Sequence, residues 1–169
     1  MKIVKSVDDI PNEYLQEIYL NWCALNHSEL PNKKEVGQSL FGNYSPFCKL
    51  ATLELEPFRV KYDSVGSAVQ DLYNEPLNGK YLDELFDPWI RKQVIKTYEA
   101  CVDTKAPIYE RKGISTIVGK IGYEYIILPF SDKTEDQVSA FVSCVFPLDM
   151  SISKYDEWKD AISITPWFK

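Results

Sequence analysis

The stretch from Phe58 to Phe86 constrains the fold more than any other part of the chain. Its first residues are rich in β-branched and aromatic types, which predicts a strand that ends at Val65. Val65-Gly66-Ser67 interrupts the strand, and a short helical segment follows. Asn78-Gly79 then predicts a turn, and a second short helical segment begins at Tyr81. This order places two short helical segments between a strand and the long helix that comes next.

Two further segments carry apolar residues at helical spacing. From Asn12 to about Asn26 apolar residues recur every three or four positions, which predicts an amphipathic helix. A longer helix is predicted from Asp87, a favourable N-cap residue, with Pro88 at the first helical position. It should end before Pro107, because the residue that precedes a proline avoids the helical region.

Five strands are predicted, at residues 50–55, 58–65, 108–118, 123–130 and 138–146. The first and the last show alternation of apolar and polar residues, and the others are runs rich in β-forming residues. The first two should form a hairpin. Gly113 is a candidate bulge, and Gly119-Lys120-Ile121-Gly122 is a candidate hairpin turn. The strand from Val138 to Phe146 is apolar on both faces at its middle, which favours a central position in the sheet.

Several short motifs resemble those of the PAS domain family, and more narrowly the stand-alone PAS type common in alphaproteobacteria. In the family these are an aromatic pair in the first helix, a Leu-Pro dipeptide after that helix, an Arg-x-x-Gly-like run at the end of the second strand, a Leu-x-Gly turn and a Leu-Pro-Phe-Ser segment. In this chain they correspond to Trp22, Leu30-Pro31, residues 62–66, residues 77–80 and residues 128–131. The family's Asp-Pro after the Leu-Pro segment is replaced by Glu35-Val36-Gly37.

The resemblance implies an α+β fold with a five-stranded antiparallel sheet, helices on one face, and flanking helices at both termini. We expect residues 1–31 to hold the N-terminal flanking helix and residues 32–148 to form the PAS-like domain. Residues 149–169 carry a second amphipathic pattern and are expected to form a helical tail.

Composition excludes several classes of function. The formal net charge is −6, which argues against a nucleic-acid partner because phosphates are neutralised by clustered Lys and Arg. No apolar run reaches the roughly 18 residues that a membrane helix needs, and the first residues lack the longer apolar region of a signal peptide. We therefore expect a cytoplasmic protein without membrane insertion.

Histidine and cysteine, which often act in catalysis or bind metals, are few in this chain. The single histidine, His27, lies in a polar segment, and a surface role is expected for it. Cys23, Cys48, Cys101 and Cys144 are scattered, so a structural zinc site is not expected. Each lies beside apolar residues, which favours buried free thiols, although disulfides stay open. No metal is expected, and the sequence identifies no cofactor.

The PAS resemblance implies a ligand pocket between the sheet and the long helix. The aromatic and polar residues expected there are Tyr62, Tyr73, Tyr98, Tyr109, Tyr125, Phe141 and Ser143. Two interpretations stay open: these side chains fill the core, or the tyrosine hydroxyls hold a polar group of a small molecule.

The apolar stripe of the first helix also has two interpretations. Its residues are Leu15, Ile18, Tyr19, Trp22 and Leu25. They form either a homodimer contact, as is common for flanking helices of PAS relatives, or a surface that packs on the chain's own sheet.

Three functions follow from the sequence. The first is a non-enzymatic sensory domain that binds a small molecule or a signalling partner protein and signals by protein contact. The second is a constitutive interaction module with a filled core. The third is a small cone-shaped isomerase that uses Asp63 or a tyrosine as base.

Overall fold

The fold is built on one antiparallel sheet of six strands in the order β1-β4-β5-β6-β2-β3. The computed structural model describes residues 1–25, 30–71, 76–85, 88–116, 119–132 and 137–148. The strands are β1 (Lys2–Ile3), β2 (Cys48–Leu55), β3 (Phe58–Val65), β4 (Ile108–Thr116), β5 (Gly119–Phe130) and β6 (Ala140–Pro147). The helices are α1 (Glu13–Leu25), α2 (Gln38–Phe41), α3 (Ser67–Asp71) and α4 (Pro88–Thr104).

The predicted α+β architecture with five antiparallel strands is confirmed. The sixth strand, β1, is a two-residue addition that pairs with the start of β4. Strand β6 lies between β5 and β2, which is the central position that its apolar middle predicted. Within the described residues, no helix combines the length and the apolar character that crossing a membrane requires.

The sheet separates two apolar cores because successive side chains of a strand point to opposite faces. The α1 core contains residues of α1 and of the even-numbered positions of β5 and β6, with Ile18, Trp22, Ile126, Leu128, Val142 and Phe146 among its members. The α4 core contains residues of α3, α4 and the other strand face, with Val60, Tyr62, Val69, Tyr98, Ile127 and Phe141 among its members. Helices thus cover both faces, and the N-terminal helix covers one of them.

Helix α1 begins where the sequence predicted. The side-chain oxygen of Asn12 accepts hydrogen bonds from the backbone amides of Tyr14 and Leu15, at 2.9 and 3.0 Å, and so caps the first turn. On its buried side, Ile18 is 0% exposed. On its outer side, Leu20 is 52% exposed.

The segment between α1 and β2 consists of short helical turns. Lys33–Glu35 and Gly42–Phe47 are 3-10 turns on either side of α2. The second turn packs closely on the end of β3, because a Cβ atom at Gly66 would overlap the carbonyl oxygens of Ser45 and Pro46. The sequence-predicted break after Val65 therefore coincides with a close backbone approach that requires glycine.

Two local predictions at the β4–β5 hairpin are wrong. Gly119 and Gly122 belong to β5 and not to a turn. Gly113 pairs directly with Gly122 in a continuous register, so it is not a bulge. The register irregularity lies instead between Leu50 and Ala51 of β2, where the pairing with β3 shifts.

The predicted N-cap Asp87 and the predicted tail helix at 149–169 lie outside the described residues.

Candidate functional site

The structure places five of the seven predicted pocket residues on the α4 face of the sheet. These are Tyr62, Tyr98, Tyr125, Phe141 and Ser143. Tyr109 lies on the opposite face, in the α1 core, because it follows Ile108, whose side chain points to α4. Tyr73 lies outside the described residues. The prediction that these residues contact a ligand stays a prediction.

A group of hydroxyls lies at the centre of the α4 face. The hydroxyl of Tyr98, on α4, lies 3.4 Å from Oγ of Ser143, on β6. The ring of Tyr98 packs edge-on against Phe141, with 4.9 Å between centroids. Burial raises the pKa of Tyr98 to about 12, although hydrogen bonds with Ser143 and Tyr62 act in the opposite direction. We call Tyr62, Tyr98 and Ser143 the hydroxyl cluster.

Lys49 is a charged residue of this face that the sequence analysis missed. It pairs with Ser143 on β6 and with Val65 on β3, and its ammonium lies 5.0 Å from the centroid of the Tyr62 ring. Burial lowers the pKa of Lys49 to about 8. A period-two reading that started at Cys48 instead of Leu50 would have placed Lys49 on the same face as Ala51.

A second polar group links α4 to the sheet through Glu110. Tyr125 donates a very short hydrogen bond to Glu110, and Thr97 on α4 donates to the same carboxylate oxygen at 3.1 Å. Burial and then the bond to Glu110 raise the pKa of Tyr125. Burial acts to raise the pKa of Glu110, but hydrogen bonds from Tyr125 and the charge of Lys112 outweigh it, and that pKa is lowered.

Glu124 forms a similar hydrogen-bonded group with a tyrosine on the α1 face of the sheet. This residue is 3% exposed, accepts a very short hydrogen bond from Tyr109, and accepts another at 2.8 Å from the side-chain amide of Asn12. Burial, followed by the bond to Glu124, raises the pKa of Tyr109 to about 12. Asn12 caps α1, so Glu124 connects strand β5 to the start of the N-terminal helix.

The base proposed for an isomerase lies away from these tyrosines. Asp63 forms an ion pair of 2.9 Å with Lys33 and accepts a hydrogen bond of 2.6 Å from Thr52. Thr52 lies on the α1 side of β2, because its neighbours Ala51 and Leu53 belong to the α4 core. Asp63 therefore does not reach the hydroxyl cluster, and of the two bases named for an isomerase, Asp63 or a tyrosine, only a tyrosine lies at this position.

The structure also contains a cleft that the sequence did not predict. It has a volume of about 440 Å³ and is lined by Val36, Phe41, Ser45, Pro46, Cys48, Leu50, Ser64, Gly66 and Ser67. Its walls are α2, the 3-10 turn Gly42–Phe47 and the α1 side of β2 and β3. None of the six predicted pocket residues that the structure describes lines it.

The apolar stripe of α1 packs on its own sheet. Leu15, Ile18, Tyr19 and Trp22 are all at most 8% exposed, and Leu25 is partly buried against the same core. This is the second of the two interpretations that the sequence left open. The stripe is not an exposed surface, because the α1 face of the sheet needs an apolar cover of its own.

Two of the four cysteines form a disulfide between β2 and β6. Cys48 and Cys144 are directly opposed in the antiparallel register, whereas Cys23 and Cys101 are free. The expectation of free thiols is therefore wrong for the first pair. Their 96-residue separation in sequence conceals the contact, and only strand pairing brings the two residues together.

The described residues contain no group of three or more histidine, cysteine or acidic side chains that is arranged to bind a metal. The acidic residues Asp83 and Glu84 instead bind Arg59, with nitrogen–oxygen distances of 3.0 and 3.2 Å. Their carboxylates thus neutralise a guanidinium that also stacks 3.6 Å from the centroid of the Tyr81 ring.

Neither a family model nor a curated protein matches the chain. Among solved structures, the PAS domain of a protein from Colwellia psychrerythraea is similar with a TM-score of 0.43 and 12% identity, over 60% of this chain and 86% of that one. An RNA-binding light-oxygen-voltage receptor is similar with a TM-score of 0.41 and 12% identity, over 68% of this chain and 34% of that one. The first of these two structures is described as a PAS domain, which is the family whose motifs the sequence resembles.

Proposed function

We propose that this chain is a sensory domain of PAS type that binds a small molecule between the sheet and α4 and signals by contact with a partner protein. The observation that carries the proposal is the hydroxyl cluster. Tyr62 and Tyr98 are each 1% exposed and Ser143 is 3% exposed, yet all three bear polar atoms within an apolar core. Binding sites are typically apolar surfaces with a few convergent polar groups.

The presence of tyrosine at positions 62 and 98 supports ligand recognition more than simple core packing. A phenylalanine would fill nearly the same volume without a hydroxyl whose burial has a free-energy cost. A tyrosine in a ligand site contributes an apolar ring and one hydrogen-bonding group, which fixes the orientation of a polar atom. The cluster draws on a helix and two strands, so a ligand there would contact three elements of the fold at once.

The hydrogen-bonded groups around Glu110 and Glu124 support a structural connection between the α4 face and the N-terminal helix. Glu124 and Tyr125 are neighbours on β5 and point to opposite faces. The hydroxyl of Tyr125 lies 3.3 Å from Oγ1 of Thr97 on α4. Glu124 accepts a hydrogen bond from the side-chain amide of Asn12, the cap residue of α1. A ligand that displaces α4 would alter the hydrogen bonds of β5 and thereby the start of α1, which is the surface we propose for signalling.

A constitutive interaction module is the second candidate. The packing of Tyr98 against Phe141 supports it, because a ring contact at 4.9 Å fills this part of the core. In that case partner binding would be independent of any small molecule, and a ligand screen would yield no compound that contacts the α4 face.

A thermal-shift screen with matched variants tests the proposal. Small molecules that raise the Tm of the wild-type chain are measured again with Tyr98→Phe and with Tyr109→Phe. Both variants lose one buried hydroxyl, but only Tyr98 faces α4. We expect a ligand's shift to decrease in Tyr98→Phe and to persist in Tyr109→Phe. Equal shifts in the two variants, or no active compound, would contradict ligand binding at this face.

The remaining expectations are proposals of the same kind. We propose a non-enzymatic protein with a signalling partner protein, no nucleic-acid partner, and homodimer formation through a surface other than the buried α1 stripe. A cytoplasmic location stays a prediction. The Cys48–Cys144 disulfide argues against it, because cytosolic reductants keep most cysteines reduced.

A further inference from the structure

The position of Lys49 beside the hydroxyl cluster indicates which chemical class of ligand fits this face. Lys49 is directly opposite Ser143 in the β2–β6 register, and its ammonium lies above the ring of Tyr62, which is 1% exposed. Ser143 in turn lies 3.4 Å from the hydroxyl of Tyr98. One ammonium and three hydroxyls, contributed by β2, β3, β6 and α4, thus lie together.

The charge of Lys49 has no acidic partner in the described part of the chain. Lys33 pairs with Asp63 at 2.9 Å, and Lys112 pairs with Glu110 at 3.2 Å. Lys49 forms no ion pair of this kind, and burial is the single cause of the change in its pKa. An ammonium that is partly removed from water without a counterion is unfavourable, and an anionic ligand would remove that cost.

Solvent reaches this end of the face. Lys49 and its β3 neighbour Val65 are both partly exposed, whereas Ala51 and Tyr62, farther along the same face, are buried. The ammonium therefore lies between solvent and the buried hydroxyls. A ligand that enters from this side would place its charged group at Lys49 and its apolar part toward Phe141 and the interior.

The number of charges distinguishes carboxylates from phosphates. Lys49 is a single cation, and the hydroxyls of Tyr98 and Ser143 are neutral donors. A phosphate monoester carries about −1.5 to −2 charges at neutral pH, and proteins commonly bind it with arginines or clustered cations. One ammonium and neutral hydroxyl donors match a single carboxylate instead.

We infer that the ligand of this domain is a small organic monocarboxylate whose carboxylate binds Lys49 and the hydroxyls of Tyr98 and Ser143. The inference rests on the proposed function, because it names the ligand class of the same site. It goes further by assigning the recognition of charge to Lys49.

Matched acids and amides test the inference with the whole chain. The probes are benzoate and benzamide, 3-phenylpropanoate and 3-phenylpropanamide, and hexanoate and hexanamide, titrated at constant ionic strength while backbone amide resonances are recorded. We expect the carboxylates to shift the resonances of Lys49 and Ser143 and the amides to bind much more weakly. A charge-assisted hydrogen bond of ordinary strength corresponds to about a 10- to 100-fold loss of affinity when it is removed.

Two variants separate charge recognition from folding. Lys49→Met should weaken carboxylate binding about 10- to 100-fold and leave the weak binding of the amides unchanged, whereas Lys49→Arg should retain most of the carboxylate affinity. Equal binding of acids and amides to the wild-type chain would overturn the inference while the proposed function stands. Failure of every carboxylate to shift these resonances also overturns it, and the screen with Tyr98→Phe then judges the proposed function by itself.

Discussion

The indole nitrogen of Trp22 donates a hydrogen bond of 3.1 Å to the carbonyl oxygen of Pro129, and this bond ties helix α1 to strand β5. The contact is buried and spans 107 positions of sequence. It satisfies a polar group of a residue that otherwise packs in the α1 core. Helix α1 is therefore part of the folded domain and covers one face of its sheet.

The first prediction compares two apolar residues of α1. Ile18→Ala should lower the free energy of unfolding by about 2–5 kcal/mol, because it creates a cavity in the core. Leu20→Ala, on the exposed side of the same helix, should change it by less than about 0.5 kcal/mol. Urea unfolding curves give both values. Equal effects of the two substitutions would contradict the packing of α1 on the sheet.

Homodimer formation is a separate prediction. We expect light scattering to give the mass of two chains at high micromolar concentration, and Ile18→Ala to leave that mass unchanged, since the residue is 0% exposed within its own chain. A wild-type mass of one chain under these conditions would exclude the homodimer. Conversion of the dimer to monomer by Ile18→Ala, with stability unchanged, would place the contact on the α1 stripe.

The third prediction concerns the approach of β3 to the 3-10 turn Gly42–Phe47. Gly66→Ala should destabilise the fold by about 1–3 kcal/mol, because its methyl group overlaps the carbonyl oxygens of Ser45 and Pro46. Gly37→Ala is the matched control, since a Cβ atom there has no neighbour within 4 Å. Thermal unfolding measures both. A Gly66→Ala protein as stable as Gly37→Ala would show that the turn yields easily.

The fourth prediction concerns the Cys48–Cys144 disulfide. Dithiothreitol should lower the stability of the wild-type chain by about 2–5 kcal/mol, because reduction releases a long loop in the unfolded state. The double variant Cys48→Ser/Cys144→Ser should be insensitive to dithiothreitol. Alkylation without reductant should modify Cys23 and Cys101 alone once the protein is unfolded. Modification of all four cysteines would show that the chain is reduced.

The fifth prediction is the pH dependence that Lys49 causes. Its folded pKa of about 8 lies below its ordinary value of 10.5, so between these values the unfolded chain binds more protons. The free energy of unfolding contributed by this residue should therefore rise as the pH increases from about 8. Tyr98 acts in the opposite direction above pH 10, because its pKa is raised to about 12.

Lys49→Met isolates the lysine from the other titrating groups. We expect the variant to be more stable than wild type at pH 7, and the difference to decrease toward pH 9.5, as the wild-type ammonium loses its proton. Urea unfolding at four pH values measures the difference. A difference that stays constant over this range would mean that Lys49 is as well solvated in the folded chain as in the unfolded one.

Local patterns in the sequence determined most of the elements. The three- and four-residue spacing in α1 and the alternation in β2 and β3 depend on neighbouring residues, so they are readable along the chain. The same is true of the break at Gly66. The local pattern gave a wrong prediction at Gly119 and Gly122. Two closely spaced glycines are typical of a turn, whereas pairing with β4 places both residues in a strand.

The sequence by itself determined the order of the strands and helices, because that order depends on local propensity and periodicity, and the PAS resemblance implied their antiparallel arrangement. The tertiary structure alone decided which residues meet across it. The pairing of β2 with β6 joins Cys48 to Cys144 and places Lys49 beside Ser143, and alternation along β4 removes Tyr109 from the other tyrosines. These contacts depend on the register between strands that are far apart in sequence. A shift of the register by one residue would move each of these side chains to the opposite face of the sheet.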